Sequence, residues 1–399
     1  MNQRKKNETV PGYVLTSLFI LSLVLLSSAC ANKEGSKNRQ LAPITQKFRE
    51  KLQVFKNQLG FPGATAAFTS PDGLSSSVAV GNADEESKIG MKPLDRMPAG
   101  SVGKTFVAAL SILLAQEGTF NLDDKIGKWL GDEEWFPRLP NHEDITIRTL
   151  LNHRSGLKDH AFESPEFAQD LGKMMSENPD AVILPEQLIS YVLDVPPLSK
   201  VGTDFHYSDT NYILVGIIIE KAARLSYYEA LKTLILAKLG LNDTLPADKR
   251  ELSRIVPGYL DPNGPFGSSI QKTIQGGRLI FNPLIEWTGG GLISTSEDLA
   301  RWAKLLCEGK LSTKPYLEEM LDFGGFPYGL GVGVRDTELG KAYGHSGYFP
   351  GYITAMGYFP DQKIAVAIQF NRDYDVGDPS SQLVELAKVV IEELRPRTQ

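Results

Sequence analysis

The 399-residue sequence predicts an α+β fold: a lobe built on an antiparallel sheet flanked by helices, interrupted by an inserted all-helical lobe. Three observations predict it. Strand-like runs stand near both ends of the chain, helical periodicity fills the middle, and the composition is that of an ordinary folded protein, with 42% hydrophobic, 23% charged and 9% aromatic residues.

Taken in order, residues from Thr45 to Leu59 place Phe48, Leu52, Phe55 and Leu59 at three-to-four spacing, the signature of an amphipathic helix. The runs Gly63 to Phe68 and Ser75 to Val80 flank the turn Pro71-Asp72-Gly73 and read as a hairpin. Near the other end, Tyr352 to Phe359 and Ile364 to Phe370 flank Pro360-Asp361-Gln362, and an apolar helix follows from Leu383 to Leu394. Two strands alone cannot bury both faces, so the first pair is expected to join the last in one antiparallel sheet. Between them, helical patterns recur at Phe106 to Gln116, Thr146 to Leu151, Pro185 to Leu193, Tyr212 to Ala223, Glu229 to Leu239 and Glu297 to Leu306. The sheet lobe is thus expected from about 45–104 and 311–399, and the helical lobe over about 105–310, with no internal repeat.

The N-terminus reads as a leader. Arg4, Lys5 and Lys6 precede an uncharged run from Val14 to Leu26, followed by Ser27-Ser28-Ala29-Cys30. The apolar run is shorter than the ~20 residues of a spanning helix, which disfavours an uncleaved transmembrane anchor. The order resembles a lipoprotein signal over 1–29, with Cys30 lipidated as the mature N-terminus and residues 30–44 as a polar tether. Ser27 departs from the aliphatic residue usual at that place, and ordinary cleavage near Ala29 or Ala31 is the alternative. Either way the chain is expected in the cell envelope, in the periplasm or at the surface. The other cysteine, Cys307, reads as a small buried apolar residue.

With 42 basic against 48 acidic residues and a net charge of −6, the chain has no broad basic surface, and nucleic acid is excluded as a partner. His142, His153 and His160 have spacings that match no helical ligand pair, so neither a metal nor another cofactor is expected. The segment Pro98-Ala99-Gly100-Ser101-Val102-Gly103-Lys104-Thr105 ends like a phosphate-binding loop, but Pro98 stands where that loop needs glycine. It also reads as Ser-x-x-Lys at a helix start, which puts the Lys104 ammonium within reach of the Ser101 hydroxyl. An N-cap serine followed by a solvated lysine would look the same.

Two later motifs decide between these readings. Tyr207-Ser208-Asp209 leads into an apolar helix, and His345-Ser346-Gly347 stands before the strand-like run at Tyr352. In this order the sequence resembles the serine β-lactamase and penicillin-binding protein family, in its class C β-lactamase, D-alanyl-D-alanine carboxypeptidase and esterase branch. The phrases TIRTLLNHRSGL from Thr146 and GGGLISTSEDLARW from Gly289 add to the resemblance, which runs over about 50–395.

The resemblance implies a β-lactamase/transpeptidase-like fold and an acyl-enzyme. Ser101 is then the nucleophile, Lys104 keeps its surroundings positive, and Tyr207 is the general base as a phenolate, helped by Lys104 and His345. His345 is expected to donate to Tyr207 or to a substrate carboxylate. Backbone N–H groups of Ser101 and Tyr348 are expected to form the oxyanion hole, with Gly347 allowing close approach. Asp209 stands where the branch has asparagine. A carboxylate cannot donate to a substrate carbonyl, so Asp209 is expected to hold Lys104 instead.

The expected function is an exported serine hydrolase acting on peptide or ester carbonyls, carboxypeptidase-like or esterase, with a class C β-lactamase as the alternative. Its partners would be small-molecule or peptide substrates, peptidoglycan fragments among them, and the membrane through the lipid anchor. A catalytically silent lipoprotein that binds cell-wall fragments is the competing class, which retention of Ser101, Lys104, Tyr207 and His345 disfavours.

Overall fold

The computed structural model describes residues 41–264 and 270–395. The leader and Cys30 lie outside the described residues. Seven antiparallel strands form the main sheet in the order Ile89–Gly90, Ser75–Asp84, Gly63–Thr69, Ile364–Phe370, Tyr352–Phe359, Gly340–Phe349 and Gly333–Thr337. The first and last thirds of the chain meet at its centre, where Ala66 pairs with Ile368. The central strands are buried on both faces, and side chains alternate between two cores. Ala66, Phe68, Val366 and Ile368 pack with Phe48 and Leu52 of the helix over 41–59 and with Leu386 of the helix Pro379–Leu394. Ala67, Ala365 and Ala367 face the other way, toward Trp302 and the larger core that continues into the helical lobe.

Two lobe boundaries differ from the expectation. The first helix already runs at residue 41, so residues 41–44 belong to it and not to the tether. Its Leu41 and Ile44 are buried in the sheet-lobe core, which fixes that turn. The helix Ser296–Cys307, placed by sequence in the helical lobe, packs on the sheet: Glu297 accepts from Ser77 Oγ at 2.6 Å and Lys304 donates to the Lys363 carbonyl at 2.7 Å. At its end Cys307 is only partly buried.

The chain between the lobes is pinned where the candidate nucleophile stands. Met97–Pro98 pairs with Leu292–Ser294, Ala99 N–H donates to the Leu292 carbonyl at 2.8 Å, and Thr354 Oγ1 donates to the Pro98 carbonyl at 2.9 Å. Ser101 follows in a 3-10 turn, Gly100–Gly103, and the helix Lys104–Gln116 continues from it. That helix is buried almost throughout, and Phe106 stacks on Trp302 at 4.0 Å while Trp302 Nε1 donates to Thr105 Oγ1 at 2.7 Å. Ser101 is therefore inside a rigid turn and does not cap the helix.

Candidate active site

Lys104 is fully buried and its ammonium has three polar partners. These are Ser101 Oγ at 3.1 Å, the Gly289 carbonyl, and Asp209 Oδ1, ion-paired at 2.6 Å. The glycines make the convergence possible. A Cβ on Gly103 would lie 2.8 Å from Gly290 Cα, and one on Gly290 would lie 2.4 Å from the Gly100 carbonyl oxygen. The run Gly289 to Gly291 is the end of a short helix, Trp287–Gly290, whose carbonyl at Gly289 is thereby aimed at Lys104. Burial works against the charge on Lys104, yet Asp209 and Tyr207 hold its pKa above the ordinary lysine value, so it is an ammonium at neutral pH.

Asp209 and Tyr207 are delivered by the helix Asp209–Ala223. Asp209 lies in its first turn, where the positive end of the helix suits a carboxylate, and its own N–H donates to Asp159 Oδ2 at 3.0 Å. Tyr207, just before the helix, lies with its ring centroid 5.2 Å from Lys104 Nζ and 4.2 Å from the His153 ring. Its hydroxyl is buried and closes no hydrogen bond, with Ser101 and Lys104 as its polar neighbours. Burial pushes the Tyr207 pKa up to about 12, Lys104 opposes that rise and Asp209 adds to it.

The third wall is the strand Gly340–Phe349, which sequence reading had not separated as a strand. A Cβ on Gly347 would lie 2.1 Å from the Ala99 carbonyl oxygen and 2.9 Å from Ser101 N, and one on Gly100 would lie 2.9 Å from Tyr348 N. The backbone amides of Ser101 and Tyr348 thus stand on two segments in direct contact, as a two-amide oxyanion hole requires. His345, two residues earlier, differs from expectation. Its Nδ1 meets the Ser346 carbonyl at 2.6 Å and must carry the proton, so its Nε2, 2.7 Å from Tyr328 Oη, accepts from that hydroxyl. Burial and Lys104 hold its pKa down to about 4. His345 is therefore neutral with both nitrogens engaged, and neither the expected cation beside Tyr207 nor a free donor for a substrate carboxylate. Among the described residues, Lys104 is left as the cation next to Tyr207.

The family model described as Beta-lactamase matches residues 44–390. The chain belongs to the beta-lactamase family. As a member of that family it is a serine hydrolase. It is similar to penicillin-binding protein 4* of Bacillus subtilis (strain 168), with 28% identity over 356 residues, 83% of this chain and 74% of that protein. It is also 25% identical over 318 residues to a D-aminopeptidase of Brucella anthropi, covering 77% of this chain and 56% of that relative. Among solved structures, a D-stereospecific amidohydrolase from a Streptomyces species superposes with a TM-score of 0.70 at 27% identity, over 86% of this chain and 97% of that one. The D-amino acid amidase of Ochrobactrum anthropi SV3 gives 0.70 at 25% identity, over 86% and 97%.

Several residues at the site of this beta-lactamase-family hydrolase were not expected there from sequence. Tyr328 is buried against His345, His153 against Tyr207, and Glu286 lies one turn before Gly289 with its pKa pushed up to about 8 by burial and by Asp209. His153 and Gly289 stood inside the two family phrases, the one signal that pointed to them. Tyr328 and Glu286 carried none, because each reaches the site through a loop.

Proposed function

We propose that this hydrolase cleaves amide or ester carbonyls through an acyl-enzyme on Ser101, and that it prefers substrates without a carboxylate beside the scissile bond. One observation carries the reading: the buried ion pair of Lys104 with Asp209, with Lys104 also bonded to Ser101 Oγ. Because Lys104 donates to Ser101 Oγ, the serine's own hydrogen points away from the lysine. Tyr207 Oη is the buried polar atom left to receive it. The Ser101 proton passes to the Tyr207 phenolate as Oγ bonds the carbonyl carbon, and the oxyanion sits on the amides of Ser101 and Tyr348. Tyr207 then gives that proton to the leaving amine or alkoxide as its bond to carbon breaks. In deacylation water attacks the ester, its proton goes to Tyr207 and then to Ser101 Oγ as the C–O bond breaks.

Asp209 orders the substrate classes. A D-Ala-D-Ala peptide or a β-lactam brings a carboxylate toward a carboxylate that asparagine would not present, whereas neutral esters and amides do not. The amidase and aminopeptidase names among the relatives agree with this order, and a penicillin-binding protein name keeps the carboxypeptidase reading as second. The test is a panel of a D-Ala-D-Ala peptide, a p-nitrophenyl ester, an amino-acid anilide and a cephalosporin, alongside fluorophosphonate labelling. Ser101→Ala should lose both labelling and turnover. A folded wild-type protein that fails to label would favour the silent binding module.

The sequence order at the N-terminus supports export and lipidation at Cys30. Mass spectrometry of the mature N-terminus checks it, and a soluble form unchanged by Cys30→Ala contradicts it.

A further inference from the structure

A cavity of about 380 Å³ opens beside the Ser101 cluster. Asp209, Gly289 and Tyr348, which flank Lys104 and Ser101, form its inner wall, and Phe162, Phe167, Ile213 and Phe281 supply apolar surface. Phe162 stands at the mouth, 67% exposed. Among the described residues neither lysine nor arginine lines the cavity, whereas two carboxyl side chains and an imidazole do. Asp209 is one. Glu286 is the second, and its carboxylate has no hydrogen bond or ion pair among the described residues, although Asp209 and Lys104 are its charged neighbours. His160 is the third and is 97% buried, the remainder of its 3% exposure. Thr210 Oγ1 donates to the Lys158 carbonyl at 3.0 Å, so the 3.0 Å contact from His160 Nδ1 must be donated by the imidazole. That fixes the proton on Nδ1 and leaves Nε2 a bare acceptor with no partner among the described residues.

Lys104 balances Asp209, and burial and Asp209 push the Glu286 pKa up to about 8, so Glu286 is the carboxyl that an entering cation would ionise. Asp159 lies behind Asp209, where backbone N–H groups of Asp209 and Ala161 occupy its oxygens. No group of three ligating side chains among the described residues is arranged to hold a metal ion. An ammonium has the opposite charge and three N–H bonds, and the apolar walls suit a hydrocarbon side chain beside it.

We propose that this cavity holds the acyl half of the substrate, with Glu286, Asp209 and His160 Nε2 accepting from a free α-ammonium and the aromatic wall taking an apolar side chain. The substrates are then amides, peptides or esters whose acyl group is an unblocked apolar amino acid. This rests on the acyl-enzyme reading above and adds the specificity to it. The deciding feature is Glu286, a specificity residue that acts through charge on the substrate, not on Ser101.

The test compares phenylalanine p-nitroanilide, in both enantiomers, with its N-acetyl derivative, and measures p-nitrophenyl acetate turnover and fluorophosphonate labelling in parallel. For at least one enantiomer the wild type should favour the free amine by about tenfold or more in kcat/KM, and Glu286→Gln should lower that ratio about tenfold or more. Glu286→Asp, which keeps the charge, should restore part of the ratio and so separates charge from misfolding. Wild type that labels but favours the N-acetyl substrates, or a labelled Glu286→Gln with an unmoved ratio, overturns the ammonium site while leaving the acyl-enzyme intact. Wild type that neither labels nor turns over the ester overturns both.

Discussion

Asp209→Asn tests how the charge at this position controls the base. Asparagine keeps the shape of Asp209 and removes a full negative charge 2.6 Å from Lys104 Nζ. In the wild type that charge raises the Lys104 pKa and also opposes ionisation of Tyr207, whose pKa stands at about 12. Both groups should titrate lower in the variant. The other groups around Tyr207 do not compensate, because buried His153 and half-buried His345 are held neutral and Tyr328 donates to His345. A fall of one to two pKa units is about 1.4–2.7 kcal/mol and about ten- to hundredfold in kcat/KM at neutral pH, where only a small fraction of the base is ionised. The assay is kcat/KM against pH for an uncharged anilide, which removes charge repulsion with the substrate from the comparison. The wild type should rise steadily from neutral into alkaline pH, and the variant should rise earlier. Superimposable profiles would refute the reasoning, since they would mean that Asp209 does not set the ionisation of the base. For a carboxylate-bearing amide the gain should be larger by a further ten- to hundredfold, the worth of about 1–3 kcal/mol of lost repulsion and gained hydrogen bonding. Stability moves the other way. The folded pKa of Lys104 lies above its unfolded value, so the pair stabilises fully below the unfolded lysine pKa and loses that stabilisation only as pH rises through the folded one. Breaking it should cost about 3–5 kcal/mol at neutral pH, read from denaturant unfolding.

Tyr207→Phe should lower kcat on the order of 10²-fold or more and flatten the alkaline rise, since it removes the proton acceptor while leaving the ring against His153; near wild-type turnover would assign the base to Lys104 alone. Gly347→Ala should lose most activity and about 1–3 kcal/mol of stability, because its Cβ would stand 2.1 Å from the Ala99 carbonyl oxygen, a backbone atom that the neighbouring strand holds in place. Unchanged melting and turnover in that variant would show that the strand and the Ser101 turn are not pressed together as described.

The sheet was legible because its central strands are buried on both faces and read as short apolar runs bounded by turn residues, as at Gly63–Thr69 and Ile364–Phe370. The strand Gly340–Phe349 was not, because Gly344, His345, Ser346 and Gly347 break the apolar pattern in order to approach Ser101. The helix Pro165–Glu177 was also missed, despite Ser164 capping it and Pro165 opening it, because Phe167 is its one fully buried residue and the periodic signal is correspondingly thin. At the site, the nearness of Lys104 to Ser101 was legible from their spacing at a helix start, whereas Tyr207 and Asp209 were reached only through the order of motifs that carries the family resemblance. The charge state of His345 was not, because it depends on Tyr328, a residue 17 positions away on a loop. The same holds for Glu286 and His160, which meet Asp209 only in the folded cavity. Asp209 links the two levels: its departure from the branch pattern is visible in the sequence, but the direction of its effect follows only from the buried Lys104 on one side and the buried carboxyl of Glu286 on the other. A carboxylate there slows formation of the base and repels a substrate carboxylate, costs that an ammonium-bearing substrate would turn into binding energy.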